Sequence, residues 1–367
     1  MLVTLDEPTK TIDKKILPIT DFLPANKITL TGAKLEAVRH LAQDFHKKFS
    51  AGPKVLAVRT FDLISFPYPT RFGFWGAALS PAPYVVMTNR TLFVQFRQGD
   101  KIKNLLMNPS DFEASKTVPF YAKQIKRYGS FISENILSKK VATVEEHLKA
   151  IDVKPSEIDY ISFDHLHVQD LRRLMGTTAK NNQLPKQALF PNAYFIFHRA
   201  EVESMKQLHP VQIPWYVPDA LKDVCIDKQI LIDDDVMLGD GVALLHTPGH
   251  TPGNISLAIN TPNGVYVTSE NGVSIDSYCP LESKIPGIRR HAKEWGLEVI
   301  LNANTAEYTA EQYISMVKEK VVAGMSKKGI PNFFPSSELT ASWLAPWLKP
   351  TFSCQKVEFG QINSLDI

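Results

Sequence analysis

Two short histidine-bearing segments constrain this chain more than anything else in it. Phe163-Asp164-His165-Leu166-His167-Val168-Gln169-Asp170 is followed some eighty residues later by His246-Thr247-Pro248-Gly249-His250-Thr251-Pro252-Gly253-Asn254. In an extended segment, residues i and i+2 point the same way, so His165 and His167 can present ring nitrogens to one ion. His250, in a Pro/Gly turn, offers a third. Imidazole is a ligand for zinc and for iron, and a catalytic metal site needs about three protein ligands with one position left open. A fold that uses these histidines together must bring the two segments to one place.

Composition bounds the rest. A chain of 367 residues with 44% hydrophobic and 22% charged residues is long enough for one large α/β domain with additions, or for two domains. A net charge of +3 is small for that length, and no Lys/Arg run is dense enough to form a nucleic-acid groove. The cluster from Lys123 to Arg127 reads as the solvated face of a helix. Cys225, Cys279 and Cys354 are too few and too widely spaced for a disulfide framework or a zinc ribbon, which points to a reducing cytoplasm. The amino terminus lacks the basic-then-apolar pattern of a secretory signal. No apolar run approaches the roughly twenty residues that span a bilayer, so no membrane partner is expected.

Hydrophobic spacing at Leu35, Val38, Leu41 and Phe45 predicts a helix over 33–49 behind an irregular amino-terminal arm. Runs rich in Val, Leu, Ile and Phe predict strands over 54–66 and 84–96. The aromatic loop 67–76 between them is too proline-rich for helix near its start and is expected to wall a substrate pocket. Residues 111–128 read as helix within an insertion over the site. Residues 309–326 read as an amphipathic helix with Thr309 as N-cap and Gln312 in the box position. Trp343 and Trp347, four apart, are expected to complete a core or a subunit interface, which makes a homodimer one expectation. The organisation expected is an arm and helix over 1–50, a main domain over 51–330, and a carboxyl-terminal extension over 331–367 packed on it.

The paired motifs resemble those of the metallo-β-lactamase fold superfamily, whose signature reads His-x-His-x-Asp-His and then a Thr-Pro-Gly-His turn. The resemblance covers 141–305 well and the first hundred and forty residues loosely. The sequence around 190–205, together with Gly239-Asp240-Gly241 before the strand ending at His246, is similar to the lactonase-like branch. The fold this implies is α/β: a four-layer αββα sandwich with N-terminal and C-terminal additions.

The resemblance carries over the first metal site as His165, His167 and His250. The second site departs from the family. Gln169 and Asp170 stand where the family has Asp and His, and an amide is a poor ligand beside a carboxylate. Asp170 can replace the missing histidine with an oxygen ligand, or it can cap the helix that begins after it. The bridging aspartate of the family corresponds to Glu270, after the strand over 264–268, with Asp276 a weaker substitute and a solvated turn before Asn271-Gly272 the alternative. The terminal histidine of the family falls near Asn304, after a strand over 297–301, and no histidine follows His291. Asp164 is either a partner that orients a ligating histidine or a surface residue, and His246 reads as structural.

The expected cofactor is one tightly bound divalent ion. Zinc is the first choice, and the oxygen-rich second site leaves iron or manganese as alternatives. The chemistry implied is hydrolysis, by a metal-bound hydroxide, of an ester, lactone or related bond in a small molecule. Asp170 or Glu270 would orient the nucleophile or carry its proton. The alternatives are a metal- or ligand-binding protein of the same fold that has lost hydrolysis, and a metal that serves stability alone.

Overall fold

Alternation with period two along the strands builds two sheets, each with one face turned toward the other. The computed structural model describes residues 16–178, 185–303, 308–352 and 356–363. One sheet has six strands in the order Leu17–Pro18, Val236–Gly239, Val242–His246, Ile255–Thr261, Gly264–Ser269 and Phe333–Pro335. Its pairings are antiparallel except the last. The other has eight. Lys139–Lys140, Ala57–Pro69, Tyr84–Gln98 and Lys101–Met107 pair antiparallel, and Tyr160–Ser162, Tyr194–His198 and Gln229–Ile232 continue in parallel. Ser337–Thr340 pairs with the first half of Tyr84–Gln98.

The register decides which side chains meet. Val242, Leu244, Leu257 and Ile259 of the first sheet pack against Val94, Phe96, Leu105 and Met107 of the second in a dry central layer. Their neighbours along the strands face outward. Ala243, Leu245 and Ala258 pack under the helices Thr31–Ala51 and Thr309–Ala323, through Phe45, Phe49, Met316 and Val317. Phe93, Leu106, Ile161 and Phe195 pack with Val144 and Leu148 of the helix Val144–Ala150. This is the four-layer αββα arrangement, and a one-residue slip in any strand would exchange its core and outer faces.

Several local expectations change. Residues 297–301 join neither sheet, although Val299, Ile300 and Leu301 are buried; Phe333–Pro335 occupies the edge beside Gly264–Ser269. The segment set apart as a carboxyl-terminal extension therefore supplies strands to both sheets. The helix Thr309–Ala323 is capped at Tyr308 without a side-chain bond, and Gln312 turns inward instead of closing a box. Residues 70–73 of the aromatic loop form a helical turn. Trp343 is 77% exposed and Trp347 43% exposed, so neither completes this chain's core. No helix of the described residues is long and apolar enough to cross a membrane.

Candidate metal centre

The loop after Tyr160–Ser162, the turn after Val242–His246 and the end of Gly264–Ser269 meet at one edge of the sandwich. Strand ends expose backbone groups and side chains that no ladder consumes, which is why a site can be built there. The loop is not extended as the i, i+2 argument supposed. It curls, with Val168 at φ 58°, an unfavourable conformation for a β-branched residue. The Val168 N–H donates to the Trp215 carbonyl at 2.8 Å, and its own carbonyl accepts from the Ser115 hydroxyl at 2.7 Å. These bonds hold the strained residue where His167 needs it.

The turn 247–254 is shaped by close approach. At Gly249, with φ 145°, a Cβ would lie 2.2 Å from the Gln312 Cβ, and at Gly253 it would lie 2.2 Å from the Glu201 nitrogen. Glycine lets the turn sit directly on two helices. The Ile255 N–H donates to the Asp164 carbonyl at 2.8 Å, which ties the turn to the first loop.

His165, His167 and His250 are all buried, and one ligand atom of each lies within 4.8 Å of the others'. Each ring has one nitrogen held by an acceptor. His165 Nδ1 lies 2.8 Å from Asp164 Oδ1, His167 Nε2 lies 2.6 Å from Gln212 Oε1, and His250 Nδ1 lies 3.1 Å from the Asn302 carbonyl. An acceptor fixes the proton on the nitrogen it faces, so the other nitrogen presents a lone pair. His167 Nδ1 and His250 Nε2 approach to 3.2 Å. Two lone pairs facing each other at that distance repel unless a cation or a proton lies between them.

The electrostatics follow the same geometry. Burial, reinforced by the charge on His165, holds His167 well below the ordinary histidine range and brings His250 down to about 3. For His165, burial is the largest influence and pulls downward. It is outweighed by the Asp164 carboxylate, with help from Glu270 and Glu201, so that His165 is pushed up to about 9.

Glu270, half-buried, forms a second cluster with Asp164 and His165. Ser337 and Ser336 donate to its Oε2 at 2.8 and 3.3 Å. Burial, opposed by His165, pushes its carboxyl up to about 7. Asp170 is placed elsewhere. Its Oδ1 accepts from Arg172 Nε at 2.9 Å and from the Arg172 backbone N–H at 3.0 Å, and its Oδ2 accepts from Arg172 Nη2 at 2.5 Å. This carboxylate falls in neither cluster of candidate ligands among the described residues, against the expectation that Asp170 is a metal ligand or catalytic group. Gln169 donates through Nε2 to the Ser110 hydroxyl at 2.7 Å. Asp276 accepts from Ser274, Ser283 and the Thr351 N–H, in a fully buried turn of its own. Asn304 lies outside the described residues.

A cavity of about 290 Å³ opens over the triad. Phe66 and Tyr68 wall it at the end of Ala57–Pro69, and Tyr121 and Ile125 of the helix Pro119–Tyr128 wall it from the insertion. Of the aromatic loop 67–76, only Tyr68 takes part. Gln212, Asn302 and Glu201, which support the rings or their segments, escape sequence reasoning. Their partners lie far along the chain and no local pattern marks them.

No family model matches the chain. It is similar to an N-acyl homoserine lactonase from a Bacillus species, 31% identical over 138 residues, covering 36% of this chain and 46% of the relative. An N-acyl homoserine lactonase from Bacillus cereus is 32% identical over 141 residues, with the same shares of 36% and 46%. The chain thus matches less than half the length of these curated relatives. Among solved structures, an N-acyl homoserine lactone hydrolase with the product N-hexanoyl-L-homoserine bound at the catalytic metal centre is 18% identical. That alignment has a TM-score of 0.49 and covers 78% of this chain and 94% of the other.

Proposed function

We propose that this chain, a metallo-β-lactamase-fold protein of the lactonase-like branch, is a metal-dependent hydrolase of a lactone or related ester. The observation that carries the reading is the triad: three buried imidazoles converge at a cavity floor, each with its outer nitrogen held by an acceptor. Three imidazole nitrogen donors with an open side fit zinc, and iron is the alternative. His165, His167 and His250 would hold one ion. When bound, it supplies a Lewis acid that polarises a carbonyl and lowers the pKa of water.

The chain's own residues do the rest. Asp164, Gln212 and the Asn302 carbonyl keep the three rings oriented. Ser336 and Ser337 hold Glu270 Oε2, which leaves the other oxygen to take a proton from attacking water and pass it to the leaving oxygen. Tyr68, Phe66 and Ile125 offer an apolar wall to the acyl part of a substrate. The similarity to N-acyl homoserine lactonases supports a lactone as the small-molecule substrate.

A second reading has its own observation. Gln169 faces Ser110 and Asp170 faces Arg172, so neither supplies the carboxylate ligand of a second ion, and a metal-binding protein without hydrolysis is the alternative. Zinc-loaded protein assayed on γ- and δ-lactones, N-acyl homoserine lactones and aryl esters separates the two. Turnover that falls about a hundredfold in Glu270→Gln supports the enzyme. A metal-loaded wild type silent on the whole panel favours the binding protein.

A further inference from the structure

We propose that Glu201 is the positioning residue that holds the two histidine segments at ligand spacing, a role that rests on the metal-centre reading above. Glu201 lies in the first turn of the helix Arg199–Lys206 and is 2% exposed. Its Oε1 accepts from the Leu166 N–H and from the Tyr216 hydroxyl, each at 2.8 Å. Its Oε2 accepts from the Thr251 hydroxyl at 2.6 Å.

Each of those three donors belongs to a neighbour of a triad histidine. Leu166 lies between His165 and His167, and Thr251 follows His250. The Tyr216 ring stands edge-on to His167, with centroids 4.7 Å apart. One carboxylate therefore clamps both segments, which are about eighty residues apart in sequence. Gly253 packs against the same residue's backbone, so the turn is seated on the start of this helix.

The cost of burying a carboxylate explains why the clamp is specific. A charge out of water is tolerated only where hydrogen bonds satisfy it, and here they come from the ligand segments themselves. Among the described residues, no Lys or Arg forms a salt bridge with Glu201. If either segment moves away, the carboxylate loses a donor that nothing nearby replaces. The helix thus transmits a fixed spacing to the rings without touching the ion.

The test compares Glu201→Ala and Glu201→Gln with the full-length wild type, using zinc in competition with a chromogenic chelator and cobalt(II) as a spectroscopic probe. Glu201→Ala severs all three bonds. It should lose at least tenfold in zinc affinity, in the range of orienting residues around metal sites, and should shift the cobalt ligand-field bands. Glu201→Gln should recover most of both. Its Oε1 can accept from Leu166 and Tyr216, and its Nε2 can donate to the Thr251 oxygen.

A folded Glu201→Ala protein with wild-type zinc affinity and an unchanged cobalt spectrum overturns the proposal, even if its melting temperature is lower. If that variant does not fold, Thr251→Val cuts only the bond on the His250 side. It should lose a few-fold in affinity with a smaller spectral shift, and unchanged values in it overturn the proposal equally. A wild type that binds neither zinc nor cobalt sinks the metal-centre reading itself, an outcome distinct from variants that match a metal-binding wild type.

Discussion

Asp164→Asn separates the charge behind His165 from the shape of the site. Asp164 is 3% exposed, and its Oδ1 accepts from the His165 backbone N–H and faces His165 Nδ1, both at 2.8 Å. Its Oδ2 accepts from the Ser336 hydroxyl at 2.5 Å. Asparagine keeps Oδ1 as the acceptor, while its Nδ2 can donate to the Ser336 oxygen, whose hydroxyl is then free to turn to Glu270 Oε2, 3.3 Å away. The fold should therefore be kept and the negative charge lost. Hydrogen bonds to a charged group contribute about 1.5–3 kcal/mol, against about 0.5–1.5 kcal/mol for neutral pairs. The difference between the middles of those ranges, about 1.25 kcal/mol, is a roughly eightfold loss of zinc affinity, close to the lower end of the tenfold to hundredfold scale for such partners. Chelator competition measures it, with thermal melts as the control for folding. Asp164→Ala, which leaves two donors of His165 without their acceptor, should lose more. If Asp164→Asn binds zinc within twofold of wild type while His165→Ala binds none, the carboxylate does not support its histidine in the way argued.

Four further outcomes are expected. His165→Ala or His250→Ala should abolish zinc retention through dialysis while the far-ultraviolet circular dichroism stays near wild type; full retention in both removes the metal centre. Elemental analysis of protein purified without added metal should give nearer one ion per chain than two, and two equivalents that survive dialysis contradict the placement of Asp170 and Gln169. Asp170→Asn should leave metal content unchanged and lower stability by no more than about 1 kcal/mol, since its partner Arg172 is partly exposed; loss of metal in this variant returns Asp170 to the site. Finally, His198 and His246 stack with centroids 3.7 Å apart, and burial lowers both, His246 to about 3. Folded values below the unfolded value near 6.5 mean that unfolding takes up protons below neutrality. Stability should fall as pH drops from about 6.5 toward 4, and His246→Phe should make that slope shallower by close to one proton. An unchanged slope would show that His246 does not titrate on unfolding.

What the sequence determined by itself was local and periodic. Val242, Ala243, Leu244 and Leu245 are all apolar, so their composition marks a buried strand but not which face is inner, and the sandwich was legible only through the resemblance of the paired motifs. The helix over 33–49 was legible from one apolar stripe and is seen as Thr31–Ala51. The three histidines that converge were legible because a loop and a Pro/Gly turn at strand ends leave side chains free for a site. Tertiary structure alone decided the rest. Asp170 carried two readings until the Arg172 guanidinium closed on both its oxygens. Residues 297–301 have the apolar composition of a strand, yet the sheet edge went to Phe333–Pro335, since an edge accepts whichever segment the chain can bring to it. The acceptors behind the rings lie 45 residues away for Gln212 and 52 for Asn302, and Glu201 lies 35 residues from Leu166. Hydrogen bonds across such separations obey no local period. They exist only once packing has excluded water from groups that then have no partner but each other.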